Sequence, residues 1–82
     1  MMNIAEEINE LIELIHSVRE DIELDENLLF SEDELDSFEI LQIIMLINER
    51  YDIEIPPYEI KPENFKGVSN ILNMIKRVKN ES

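Results

Sequence analysis

The chain of 82 residues contains no cysteine, one glycine and one histidine. Without cysteine there is neither a disulfide scaffold nor a cysteine-based zinc site. A single glycine, Gly67, cannot build a glycine-rich phosphate loop. A single histidine, His16, cannot pair with a second one turn away to bind zinc; it reads as a solvated or boundary side chain. Bases are scarce too: 7 Lys and Arg face 20 Asp and Glu, giving a net charge of -13. A phosphate backbone would be repelled by such a chain, so nucleic acid is an unsuitable partner. The longest apolar run, Ile43 to Ile47, is five residues, far short of the roughly 20 that a membrane span needs. The opening MMNIAEEINE lacks the basic start and apolar core of a signal peptide, so a cytoplasmic location is expected.

What is present is enough for a core. Hydrophobic residues make up 44% of the chain, too many for an acidic disordered tail. The length suits one small domain, expected to span residues 1–82. Charge is unevenly placed. Residues 1–49 hold 15 acids and one base, Arg19, whereas residues 50–82 hold 5 acids and 6 bases. Such a field speeds encounter with a basic partner, and it also serves solubility.

Glycine is nearly missing and apolar residues do not alternate with polar ones, so strands are poorly supported. Three helical patterns stand out. Ile4, Ile8, Leu11, Ile12 and Ile15 make one apolar stripe over about residues 3–18, with Glu6, Glu7, Glu10 and Glu13 opposite. A long acidic connection follows from Arg19 to Asp36, which Ile22, Leu24, Leu28, Leu29 and Phe30 can pin to a core. A connection this long in a compact domain is often functional. The second helix is expected from about Ser37 to Tyr51, started by Asp36 or Ser37 as N-cap and stopped before Pro56-Pro57. It carries two stripes. Ile40, Ile43, Ile44, Ile47 and Tyr51 form one, and Phe38, Leu41 and Met45 form the other. The second stripe suits either a helix packed on several sides or a partly exposed face that meets partners. Pro62 to Phe65 reads as one short helical turn. The last helix is expected over about Val68 to Lys79, with Val68, Ile71, Leu72, Ile75 and Val78 inward and cations near its negative end. The expected fold is all-α: a four-helix bundle of three main helices and a short third one, with a long loop between helices one and two.

No catalytic constellation is visible, so the chain is expected not to be an enzyme. Asp21, Glu23, Asp25, Asn27 and Glu32 have the spacing of a calcium loop, but Glu26 stands where its sharp turn needs glycine, and no metal site is expected. Ser37 remains. It stands where the acidic connection meets the most apolar helix. An ordinary helix cap accounts for Asp-Ser there. The alternative is a displayed hydroxyl, where an attached phosphodiester would meet free N–H groups and the positive end of the helix dipole.

Leu35-Asp36-Ser37-Phe38 with the downstream Tyr51-Asp52-Ile53-Glu54-Ile55-Pro56, at a Ser37-to-Pro56 spacing that matches without a gap, resembles the acyl carrier protein family. The resemblance covers about residues 28–78. It implies that Ser37 carries a 4'-phosphopantetheine arm, attached covalently by a phosphopantetheinyl transferase. The arm's thiol would hold an acyl group as a thioester and present it to acyl-transferring enzymes of fatty acid, polyketide or related biosynthesis. Asp36 would help the transferase dock near its magnesium ion. Phe38, Leu41 and Met45 would be apolar partner contacts, with Glu39 and Glu49 steering basic partners. A stand-alone monomeric carrier is implied. Some details depart from the common pattern: Glu34 and Leu35 replace the usual glycine before Asp-Ser, and Ile40 and Gln42 replace more polar residues. Leu35-Asp36-Ser37-Phe38, followed by Pro62-Glu63-Asn64-Phe65, also resembles the stand-alone carriers of D-alanine or other amino acids, loaded by an adenylating ligase. From another class, an unmodified acidic helical adaptor would explain everything except a use for Ser37.

Overall fold

The computed structural model describes residues 3–23, 29 and 35–81, and the side chains of all of these except Glu81. It contains helices α1 (Ile4–Val18), α2 (Ser37–Tyr51) and α3 (Val68–Glu81), with two short 3-10 turns, Pro57–Glu59 and Pro62–Phe65, between α2 and α3. The residues of the calcium-like spacing from Asp25 to Glu32, and the anchors Leu24, Leu28 and Phe30, lie outside the described residues.

The four-helix bundle expected from the sequence is therefore corrected, among the described residues, to three α-helices and two 3-10 turns. Proline is the reason. Pro57 and Pro62 each open one of the turns. Pro56 and Lys61, each followed by a proline, are held extended at ψ 152° and 154°, because the α region is disfavoured before a proline. The segment is thus cut into pieces of three and four residues, too short for an i→i−4 ladder to propagate.

Each α-helix follows from its apolar stripe. Leu11 and Ile15 of α1, Ile43, Ile44 and Ile47 of α2, and Val68, Ile71, Leu72, Met74, Ile75 and Val78 of α3 form one core with Ile22, Ile55 and Phe65. Burying a side chain of this size stabilises the fold by about 1.5–3 kcal/mol. The stripe of α1 is shorter than its pattern: Ile8 and Ile12 are partly buried, and Ile4 is exposed. The α1 N-terminus is capped by Asn3, whose Oδ1 accepts the Glu6 N–H at 2.9 Å.

After α2, Asp52 adopts the left-handed region at φ 53°, a conformation that costs most residues about 1–2 kcal/mol and that aspartate tolerates better. The reversal lets Ile53 N–H donate to Asn48 O at 3.2 Å, and Ile55 N–H donate to Asn48 Oδ1 at 3.1 Å. The extended tail therefore folds back on α2 and carries Ile55 into the core. Leu29 forms an isolated antiparallel bridge with buried Gly67, which ties the long connection to the start of α3. No side chain at Gly67 obstructs that close approach.

His16 sits at the boundary. Its Nε2 lies 3.1 Å from Ile22 O, and since a carbonyl only accepts, the ring donates from Nε2. The histidine thus fastens the chain just beyond α1.

The first 3-10 turn holds a buried carboxylate. Glu59 is 5% exposed. Its Oε1 accepts from Asn64 Nδ2 at 3.1 Å and from Arg77 Nη2 at 3.2 Å, and its Oε2 from Arg77 Nε at 3.3 Å. Asn64 Oδ1 also accepts from Arg77 Nη2 at 3.0 Å. This triad locks both turns onto α3. The Arg77 guanidinium, with help from Asn64, outweighs burial and holds the Glu59 carboxyl below the usual carboxylate range. A depressed folded value adds stability above the unfolded value, and that stability is lost as pH falls through the folded one. Glu59→Gln is expected to lower stability by about 1–2 kcal/mol at neutral pH. The gap to the parent should narrow as pH drops, measured by thermal melts between neutral and strongly acid pH. A gap independent of pH would mean that Glu59 acts by shape alone.

Candidate functional site

The site is built at the start of α2. Asp36 is its N-cap, in extended backbone at ψ 175°. Its Oδ1 accepts the Glu39 N–H at 2.8 Å, and the Glu39 Oε1 accepts the Asp36 N–H at 3.2 Å. This reciprocal capping box satisfies two of the four N–H groups that a helix start leaves without intrahelical partners. The other two belong to Ser37 and Phe38. Ser37 is the first residue of α2 and is exposed. Its hydroxyl therefore stands at an open helix start, where backbone N–H groups and the dipole favour an anionic substituent. The donor set suits a phosphodiester linked to that oxygen.

The predicted second stripe of α2 lies outside the core. Phe38 is 68% exposed, Leu41 51% and Met45 69%. These side chains project one, four and eight residues beyond Ser37, so they share a face that runs along the helix from the serine. A helix with one buried stripe and a second exposed one has apolar surface beyond what packing uses. Glu49 is exposed further along. It lines a groove of about 330 Å³ between α1 and α2 with Glu10, Glu13, Leu14, Ser17, Leu46 and Arg50. Arg50 Nε reaches Glu10 Oε1 at 2.9 Å and ties the two helices together there.

Glu39 is placed differently from the other acid expected to steer partners. Its side chain is 14% exposed. Besides the cap, both its carboxylate oxygens accept from Arg19 Nη1, at 3.1 and 2.8 Å. Arg19 is the residue that caps the C-terminus of α1, and it also forks onto Asp21 at 2.8 and 3.0 Å. Asp21 holds Arg19 most strongly, with Glu39 next, so the guanidinium stays charged well above its ordinary value. The same fork keeps the Asp21 carboxyl below its own usual range. Sequence reasoning missed this link, because its partners stand twenty residues apart with no shared periodicity. A lone base in a long acidic stretch was the available signal. Among the described residues no group of three or more metal-ligating side chains is arranged around a common point, and no helix is long and apolar enough to cross a membrane.

The PP-binding family profile, described as a phosphopantetheine attachment site, matches residues 4–77. That is nearly the whole chain. The chain belongs to this family. No curated protein and no solved structure gives a significant match. PP-binding modules of the acyl-carrier type are carriers and not catalysts, which accords with the lack of a catalytic constellation in the sequence. They receive phosphopantetheine from a phosphopantetheinyl transferase and deal with acyl-transferring enzymes. In this PP-binding chain the start of α2 is open at Ser37, and the apolar side chains of Phe38, Leu41 and Met45 beside it are exposed.

The division of α2 into two faces has a direct consequence for stability. Replacing Phe38, Leu41 or Met45 singly by serine is expected to change stability by about 0.5 kcal/mol or less. Ile47→Ala, on the buried stripe, should cost about 2–5 kcal/mol. Urea unfolding of the four variants tests this. A large loss at Phe38, Leu41 or Met45 would mean that the outer stripe belongs to the core after all.

Proposed function

We propose that the chain acts as a single carrier domain in which Ser37 is the attachment point of 4'-phosphopantetheine. The observation that carries this reading is the exposed Ser37 hydroxyl at the capped, open start of α2, within the family match over residues 4–77. Coenzyme A is the donor. The serine oxygen takes up the phosphopantetheinyl phosphorus, its proton is lost, and adenosine bisphosphate leaves. When bound, the arm supplies a thiol that holds an acyl group as a thioester, so the reactive group comes with the cofactor and not from the chain.

The chain's own residues present that group. Asp36 fixes the helix start through its cap and offers the transferase a carboxylate beside Ser37. Phe38, Leu41 and Met45 give partner enzymes an apolar contact, and Glu49 with the surrounding acids draws basic partners in. Glu39 adds its charge to that field from inside the capping network. Charge sets the rate of encounter, while a small apolar patch gives register without trapping the complex. The cargo we propose is an acyl group of fatty acid, polyketide or related biosynthesis. Loading by an adenylating ligase in place of an acyl-transferring enzyme would instead mark an aminoacyl carrier.

Incubation with coenzyme A and a broad-specificity transferase is expected to add one phosphopantetheine, read by intact mass, and Ser37→Ala should take none. No addition to the parent, or equal addition to Ser37→Ala, would leave the unmodified acidic adaptor as the better reading. A second expectation concerns charge. Glu49→Lys should slow the transfer severalfold at low ionic strength, and the difference should shrink with added salt. An unchanged rate would assign the acidity at that position to solubility.

A further inference from the structure

Arg19 is the only base among the first 49 residues. It does not sit free in the acidic field. It stands at the end of α1 and reaches across to the first turn of α2, where its Nη1 donates to Glu39 Oε2 at 2.8 Å and to Oε1 at 3.1 Å. The same Oε1 accepts the Asp36 N–H at 3.2 Å. Asp21 holds the other side of the guanidinium in a bidentate fork. The Glu39 side chain is 14% exposed and that of Arg19 32%, so the Glu39 end of this chain of contacts is withdrawn from solvent. One continuous path of hydrogen bonds therefore runs from the end of α1, through Arg19 and Glu39, to the backbone N–H that immediately precedes Ser37.

We propose that Arg19 is a positioning residue for the modification of Ser37. Resting on the reading of Ser37 as the attachment point, it acts through Glu39. With its carboxylate fixed by Arg19, Glu39 completes the capping box, and the capping box fixes the backbone on which the Ser37 hydroxyl is mounted. Holding a reacting group in place is worth much of a transfer barrier, and small displacements are costly. A glutamate released from Arg19 has freedom to leave the Asp36 N–H for water, and the first turn of α2 then frays.

Charge makes this proposal separable from simple steering. Removing Arg19 makes the acidic half of the chain more acidic. If the field alone governed encounter with the transferase, Arg19→Ala would be modified as fast as the parent or faster. Positioning predicts the opposite sign. Arg19→Ala is expected to lower the transferase kcat/KM by about fivefold to tenfold, with most of the loss in kcat. Arg19→Lys, which keeps the charge and can reach Glu39 with a single ammonium but cannot form the fork, should recover part of it. In a Glu39→Ala background, which removes the shared acceptor, Arg19→Ala should do little more, because the path is already cut. Independently of any cofactor, amide hydrogen exchange at Ser37 to Ile40 should accelerate in Arg19→Ala, while α3 amides keep their parent protection.

A parent that is modified at Ser37 while Arg19→Ala matches or exceeds it would overturn the positioning role alone. So would Arg19→Ala and Glu39→Ala effects that simply add. A parent that takes no phosphopantetheine would overturn the attachment reading and this proposal with it. Accelerated exchange at the helix start would then show a purely structural clamp. Arg19→Lys and Glu39→Ala keep the test decisive if Arg19→Ala does not fold.

Discussion

The Asp36 carboxylate accepts the Glu39 N–H, and the Glu39 carboxylate accepts the Asp36 N–H, at 2.8 and 3.2 Å. These two hydrogen bonds fix the axial start of α2. The buried stripe of Ile43, Ile44 and Ile47 fixes the rotation of the same helix about its axis. A helix with its start and its rotation both set has no freedom left in where its side chains project. Ser37 is thereby held at the open end, and Phe38, Leu41 and Met45 are turned outward. The other end is fixed by a different device, the left-handed Asp52 with the two hydrogen bonds to Asn48. Presentation of the serine thus depends on side chains near the ends of α2, and the core supplies the platform.

The net charge of -13 is what remains after every base is set against an acid, and the structure shows which acids four of the bases hold. Several acids are committed between elements. Glu10 pairs with Arg50 across α1 and α2, Glu7 with Lys76 across α1 and α3, Glu59 with Arg77 across the first 3-10 turn and α3, and Glu39 with Arg19 across the ends of α1 and α2. The more exposed pairs, Glu10–Arg50 and Glu7–Lys76, are worth about 0–1 kcal/mol each, so they do not explain why the chain folds. Their value lies in geometry. In a chain short of bases, each of these cations joins two parts of the fold. Lys79 is used in yet another way, with its Nζ 5.3 Å from the centre of the half-buried Tyr51 ring, an arrangement suited to cation–π attraction.

Periodicity and local stop signals carried the helices well. The bounds of α2 follow from Asp-Ser at one end and Pro56-Pro57 beyond the other, and the structure places them at Ser37 and Tyr51. The α3 stripe is buried as its spacing indicates, although Met74, fully buried, fell between the positions that the stripe selected. The bundle count did not survive, because Pro62 to Phe65 has the composition of a helical turn, while proline geometry shortens it to 3-10. Pattern alone left the outer stripe of α2 open between packing and exposure, since both produce the same spacing; only the placement of α1 and α3 decides it. Glu59 and the Arg19–Glu39 link were invisible for a related reason. Their partners are eighteen and twenty residues away, and no local signal says that a charged side chain has a distant counter-ion. Ser37 stood out through resemblance: the physics of its neighbourhood alone is that of any good N-cap junction.

A family of carriers must be met by one enzyme, released, and met by another, and the shape of α2 bears on how that is possible. A stable protein interface buries about 1,600 Å² in total. On the carrier reading proposed for this chain, Phe38, Leu41 and Met45, three separate side chains on one helix face, offer only a fraction of that, so contacts made there would be weak and dissociate fast. Weak contact would ordinarily mean slow and indiscriminate encounter. On the same proposed reading, the exposed Glu49 of this helix compensates by raising the encounter rate, because its attraction acts across intervening water and is screened by salt. The buried stripe answers the remaining need. With Ile43, Ile44 and Ile47 locked into a core shared with α1 and α3, the helix can meet each partner without reorganising. The cost of binding then falls on the partner-facing side chains alone, and release restores the same surface for the next enzyme.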